Sequence, residues 1–538
     1  MSQVEILRYE WDNIPWRKLE RKLFKLQKQI YQASEQKDYP KVKKLQRLLL
    51  TSKGANLIAV RRVSQINRGK HTPGIDGKTA LTNRERKVLA DMMDLKAEAK
   101  PIRRVWIPKP GKKEKRPLGI PTIKDRAKQA LVKMALEPEW EAKFEPNSYG
   151  FRPGRSCHDA IEAIYTSIHR KNAYVLDADI SGCFDNINHN ELLDKLHTSP
   201  RIRRLIKAWL KAGIVDNQVF YQNDKGTPQG GIISPLLANI ALHGLENETR
   251  EALKKELFDY MKRTRPKASY LLSGRKISII RYADDFVVIH EDKEIVKAAK
   301  AFIVEWLKKM GLELKDTKTR ICHTLNTDGK EAPGFNFLGF NIRQYPGNTT
   351  SKGYVTIIKP SKESQKKHLY NIKQKIRSHR GESQATLIKN LNPVVRGWAN
   401  YFWHVSSRKV FERIDHQTFV KLWRWAMYRH PHKTRFWIKD RYFHRHKNEF
   451  WRFKTKEEHL LLRHSDYKIK LHVKVKGEKS PFDGDDKYWK KRKERGLQKS
   501  EKVVTPSSFK DRNTIFEHVL KQKVIRNRTK YVGQTPNC

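Results

Sequence analysis

The chain is poor in cysteine, short of acids and without any long apolar run. Its four cysteines, Cys157, Cys183, Cys322 and Cys538, are scattered over 538 residues. No two stand at zinc-site spacing, and four thiols cannot frame a chain of this size with disulfides, so a reducing compartment is expected. No stretch approaches the ~20 apolar residues of a membrane span, which argues against a helical membrane protein. The opening MSQVEILRYEWDN has no basic region followed by an apolar one, so secretion is not expected. No internal repeat or low-complexity tract appears.

What is present in excess is positive charge. Lys and Arg total 113 against 58 acids, a formal net charge of +55. A field of that size attracts polyanions and repels copies of itself, so nucleic acid is the expected partner, with steeply salt-dependent affinity. Global disorder is excluded by 13 Trp, 19 Tyr and 21 Phe, although the apolar fraction is only 38%. The length suits about three or four domains.

Along the chain, Leu19, Leu23, Leu26 and Ile30 recur at helical spacing, and Asp38 with Pro40 marks the start of a second helix. Residues 71–78, HTPGIDGK, read as a turn-rich loop. Residues 103–116, RRVWIPKPGKKEKR, alternate apolar and basic residues around a Pro-Gly break, which predicts a cationic β-hairpin. Strand and helix signals alternate to about residue 345. Beyond it the chain reads as mainly helical, very basic and rich in aromatics.

The chemistry sits in acids at strand ends. In ISIIRYADDFVVIH, residues 277–290, two β-branched runs flank a tight turn carrying Asp284 and Asp285. An Asp-rich turn is ordinary by itself. Here the apolar flanks bury it, and paired buried carboxylates repel unless a cation joins them. A second strand, YVLDADISGCFDNINH at 174–189, offers Asp177 and Asp179 on one face, and spacing alone does not choose between them. Carboxylates from two strands suit Mg²⁺, and two ions ~3.5–4 Å apart are the chemistry of nucleotide addition. Residues 226–242, GTPQGGIISPLLANIAL, form a glycine-rich turn into an apolar helix. Ser234 is the expected cap, and bare backbone at Gly230 and Gly231 would let a base or sugar approach.

These segments, in this order, closely resemble the reverse transcriptases encoded by group II introns, from about Leu45 to Tyr488, with SYGFRPGRS at 148–156 and GFNFLGF at 334–340 in their places. The resemblance implies an α+β right-hand polymerase of fingers and palm, an α-helical thumb or maturase domain X, and a basic C-terminal DNA-binding extension. It divides the chain into an N-terminal helical extension (1–66), fingers and palm (67–345), domain X (346–445) and a basic region and tail (446–538). It implies catalytic Asp179, Asp284 and Asp285, and two Mg²⁺ at Asp179, Ile180, Asp284 and Asp285. The dNTP residues would be Lys109, Arg116, Phe184 and Gln229, with Phe184 against the sugar 2′ position. Extra residues at 111–115 depart from the family's spacing before Arg116. Lys318 would donate a proton to pyrophosphate or simply bind phosphate.

Residues 392–403, NPVVRGWANYFW, look like domain X, and Arg396, Trp398, Tyr401, Arg408 and Arg424 are its expected RNA-binding residues. Aromatic faces stack on bases while cations take phosphates, with about half the aromatics needed for a core. SPFDGD at 480–485 resembles relatives that continue into an HNH nuclease, but no cysteine pairs follow, so none is expected here. KKRK at 490–493 leaves DNA binding in the tail. The expected function is an RNA-directed DNA polymerase and maturase that binds its intron RNA, assists splicing and copies that RNA at a nicked DNA target, using dNTPs. It would work inside the cell, in a bacterium or an organelle. A splicing factor without polymerase activity and a host-adopted reverse transcriptase in defence or repair are the alternatives.

Overall fold

The computed structural model describes residues 10–108, 114–264, 277–347, 353–447 and 449–501. The helix Trp16–Glu35 buries Leu19, Leu23 and Ile30, following the predicted spacing. The next, Tyr39–Thr51, begins where expected: the Asp38 carboxylate accepts from the Lys41 N–H, and Pro40 lies in the first turn, where a missing N–H costs nothing. Both pack on Ile123–Glu141, a helix buried almost all round. Gln27 and Ser34 donate to its Met134 and Glu139 carbonyls, so the N-terminal helices share one core with the sheet-bearing region.

The cationic hairpin forms as β1 (Ile102–Pro108) and β2 (Lys115–Ile120). A deeper sheet starts from β3 (Tyr174–Asp179). Short strands β4 (Ile214–Asp216) and β5 (Val219–Tyr221) extend the first sheet in the order β2-β1-β4-β5. The deeper sheet adds β6 (Ser278–Tyr282), β7 (Asp285–His290) and β8 (Arg320–His323), ordered β6-β7-β3-β8 and antiparallel throughout. Strands β6 and β7 bury apolar runs, Ile279–Ile280 and Phe286–Ile289, as the flanks of the acid turn predicted.

Beyond residue 345 the described chain is mainly helical, as expected, but strands do not end there. A three-stranded sheet of β9 (Phe335–Phe337), β10 (Phe340–Pro346) and β11 (Tyr354–Pro360) crosses that boundary. Period-two alternation, with Phe340, Ile342 and Gln344 inward, decides for strand. The helices Lys362–Ser378, Gln384–Phe402, Arg408–Arg429 and Arg435–Tyr442 follow around a separate core that includes Ile372, Leu391, Ile414 and Trp425. A small hairpin, β12 (Phe443–His446) and β13 (Glu449–Phe453), closes that unit. The remainder is largely irregular up to the helix Asp486–Glu501. Among the described residues no helix is long and apolar enough to cross a membrane.

Candidate active site

Strands β6 and β7 are joined by Ala283 and Asp284 alone, with Tyr282 opposite Asp285. Ala283 takes φ +58°, the left-handed region that such short hairpin turns demand and that costs a residue with a Cβ about 1 kcal/mol or more. Surrounding structure holds it there. The Tyr149 N–H donates to the Arg281 carbonyl and the Arg281 N–H to that of Asn147, both at 2.9 Å. Gly150 lies so close that a Cβ on it would sit 2.4 Å from the Ala283 nitrogen. The buried Arg281 guanidinium donates to the Ala283 carbonyl at 3.2 Å and to Asn239 Oδ1 at 3.0 Å.

Register then resolves the choice that spacing left open. Asp179, at the end of β3, lies directly opposite Asp285, and the Ile180 N–H donates to the Asp284 carbonyl at 3.3 Å. Asp177 is two residues back, opposite Val287, and its carboxylate meets Arg320 Nε at 3.6 Å. The three acids gathered at the turn are therefore Asp179, Asp284 and Asp285. Burial, reinforced by the fields of Asp284 and Asp179, pushes Asp285 up to about 7. Burial, helped by the field of Asp179, also raises Asp284, against a backbone hydrogen bond and the weaker fields of Lys318 and Arg116. Lys318 donates to the Asp179 carboxylate. Burial alone would lower its pKa, but that bond and the three acids outweigh it and raise it. Among the described residues no three side chains form a finished metal cage. The donor set is nonetheless hard oxygen, crowded and like-charged, which is the chemistry a divalent cation relieves.

A pocket of about 150 Å³ is lined by Arg104, Gly119, Phe184, Asp185, Gly226 and Gln229 among others, two of them in the segment that follows β3. Phe184 is half-buried, its ring edge-on to Phe151 at 6.1 Å. Gln229 also lines the pocket and donates to Asp185 Oδ2 at 2.9 Å. Arg116 stands opposite Ile107 in the β1–β2 hairpin, and Lys109 lies outside the described residues. Sequence reasoning missed Arg104 and Asp185. Their signals were present: Arg104 shares a face of β1 with Trp106, whose ring it covers, and Asp185 directly follows Phe184.

Two readings of the glycine-rich segment are corrected. Ser234 does not cap: the helix runs Ser234–Ala241 with helical Ile233 ahead of it and no side-chain cap bond. The bare backbone of Gly230 serves β2 rather than a ligand. It has φ +139°, a Cβ there would lie 2.4 Å from the Gly119 carbonyl, and the Gly119 N–H donates to the Gln229 carbonyl at 2.9 Å.

In the helical region the predicted RNA-binding residues separate into two groups. Arg396, Arg408 and Arg424 are exposed. Trp398 and Tyr401 turn inward, which corrects their reading as stacking platforms for RNA. Trp398 stacks on His368 at 4.5 Å and 9°, while Tyr401 stacks on Phe340 and donates to the Leu338 carbonyl at 3.0 Å. Helical spacing places both on the packed side of Gln384–Phe402. Other aromatics of this region do face solvent: Tyr370 is 56% exposed, Tyr428 is 64% exposed under the Arg380 guanidinium, and Phe436 is 81% exposed.

Comparison with known families agrees with this geometry. Residues 107–342 match "Reverse transcriptase (RNA-dependent DNA polymerase)", 11–93 match "N-terminal domain of reverse transcriptase", and 365–443 match "Group II intron, maturase-specific domain". The group II intron-encoded protein LtrA of Lactococcus lactis subsp. cremoris is 31% identical over 414 residues, covering 63% of this chain and 67% of that protein. Protein YkfC of Escherichia coli (strain K12) is 33% identical over 327 residues, covering 56% of this chain and 83% of that protein. Reverse transcriptases as a family use divalent metal ions, and their substrates are nucleic acids. The chain belongs to the group II intron-encoded reverse transcriptases, RNA-directed DNA polymerases that carry an intron maturase domain.

Proposed function

We propose that the chain is a right-hand polymerase whose fingers and palm span 67–345, whose thumb is domain X at 346–445, and whose residues 446–538 bind DNA. Asp179, Asp284 and Asp285 are its catalytic carboxylates, and the supporting observation is their meeting at one strand register with Lys318 as counter-cation. These carboxylates, with the Ile180 backbone, would hold two Mg²⁺. When bound, the ions supply activation of the primer 3′-hydroxyl and stabilisation of the leaving pyrophosphate. Phe184 closes the pocket against a ribose 2′-hydroxyl, Gln229, oriented by Asp185, meets the nascent base pair, and Arg116 with Lys109 holds the triphosphate. Lys318 is a cation at the carboxylates' edge and binds phosphate there.

The thumb presents Arg396, Arg408 and Arg424 to intron RNA, with Tyr428 and Phe436 as stacking faces. The polymerase then copies that RNA from the 3′ end of a nicked DNA target. The test offers the intron ribonucleoprotein a nicked target with dNTPs and Mg²⁺. The expected result is complementary DNA covalently joined to the target strand. DNA synthesis on an annealed primer with none at the nick would overturn the target-priming part of this reading.

A further inference from the structure

The Asp159 carboxylate takes no part in the chemistry above, yet it is fully buried in the first turn of the helix Cys157–Ile168. Its Oδ2 caps that helix, accepting from the Ser156 N–H and hydroxyl at 2.9 Å each. Its Oδ1 accepts from the far end of the chain: His472 Nε2 at 2.9 Å, the Val475 N–H at 2.8 Å and Arg492 Nη2 at 2.7 Å. The same Arg492 guanidinium donates to the Val473 and Gly154 carbonyls at 2.9 and 3.2 Å. Arg155 reaches the other way, donating to the Gly477 carbonyl. Gly154 has φ +71°, and a Cβ on it would come within 2.9 Å of Pro481 and Trp489. Thus one cation of the basic run at 490–493 faces inward.

The contact continues to the catalytic turn. Arg155 donates to the Pro146 carbonyl at 2.6 Å and lies over the Tyr149 ring at 5.6 Å. Residues 147–149 bond to Arg281, and Gly150 abuts Ala283. Packing is unbroken along this path, because Tyr149, Ile280 and Val475 belong to one core with Trp489 against it. We propose that residues 472–492 form a brace fixing the 146–150 shelf beneath the 282–285 turn, with Arg492 and His472 as positioning residues for nucleotide addition. The proposal rests on the assignment of that turn as catalytic. Its physical basis is that a small displacement of reacting groups costs rate rather than binding.

The test uses the full chain in primer extension on an RNA template. It compares Arg492→Ala and Arg492→Lys with the parent and with Leu422→Ala, which weakens the separate helical core. The kcat, the dNTP KM, the primer–template Kd and the melting midpoint are measured, with assays run well below every midpoint. Arg492→Ala is expected to lose roughly tenfold to a hundredfold in kcat while KM and Kd hold. Arg492→Lys should recover part of the loss, since it keeps the charge on Asp159 and loses the fork to Gly154 and Val473. Leu422→Ala should keep parental kcat. Parental kcat in Arg492→Ala, or a loss no greater than that of Leu422→Ala, would overturn the brace. Should Arg492→Ala not fold, Arg492→Lys decides: reduced kcat supports the brace and parental kcat overturns it. An inactive Asp284→Ala beside a fully active Arg492→Ala removes the brace alone, whereas an active Asp284→Ala removes the catalytic assignment beneath it.

Discussion

At the β6–β7 turn, Asp284 and Asp285 face Asp179 with Lys318 as counter-charge, and burial with mutual repulsion pushes Asp285 up to about 7. In the first turn of the helix Cys157–Ile168, Asp159 is also buried, and burial would raise it too. There the bond and charge of His472, the charge of Arg492 and the Val475 N–H win and hold it at about 2. In the first cluster three crowded acids share Lys318, bonded to Asp179; in the second both oxygens of Asp159 are saturated, by five donors. Under-compensated acids cost stability and are kept for chemistry, whereas saturated ones fasten distant parts of the chain together.

That contrast can be broken in several ways. Asp159→Ala strands Arg492 and His472 and should destabilise by about 3–5 kcal/mol, read by chemical denaturation; a change below 1 kcal/mol would end the comparison. Acid should act on buried imidazoles near the saturated site and in the helical core. Burial, with the His158 and His472 charges, depresses His404 to about 3, and burial with His464 does the same to His368. Folded values below the unfolded ~6.5 mean that this stability is fully present above pH 6.5. It falls toward pH 3 by about 1.4 kcal/mol per unit per imidazole. Flat melting midpoints across that window would contradict the burial assigned to these rings.

Phe184→Val should relax discrimination between dNTPs and rNTPs by roughly tenfold to a hundredfold, measured as a ratio of kcat/KM. Unchanged discrimination would remove Phe184 from the pocket's selective wall. Smallest is Arg424→Ala, expected to weaken RNA binding and lower the salt slope by about one, measured as Kd against ionic strength.

The same contrast explains what could be read in the sequence. The acid cluster was legible because β-branched flanks, a two-residue turn and a second acidic strand are all local signals. Choosing Asp179 over Asp177 required strand register, which composition does not carry, and there only family resemblance anticipated the structure. Asp159 and Arg492 are 333 residues apart, and a basic run reads as solvent-facing until something buried claims one member. Trp398 and Tyr401 misled because interleaved aromatics and cations look alike whether they face RNA or pack against His368 and Phe340. Gly230 suggested room for a base, and that room is filled by the β2 backbone.

The most direct test is primer extension on an RNA template with dNTPs and Mg²⁺, comparing the parent with Asp284→Ala at matched folded concentration. The expected result is DNA from the parent and a loss of about a thousandfold or more in the variant, with a melting midpoint equal to or above the parent's because a repelling carboxylate is gone. Parental activity in Asp284→Ala, or inactivity accompanied by unfolding, would contradict the claim that this acid serves catalysis at the expense of stability.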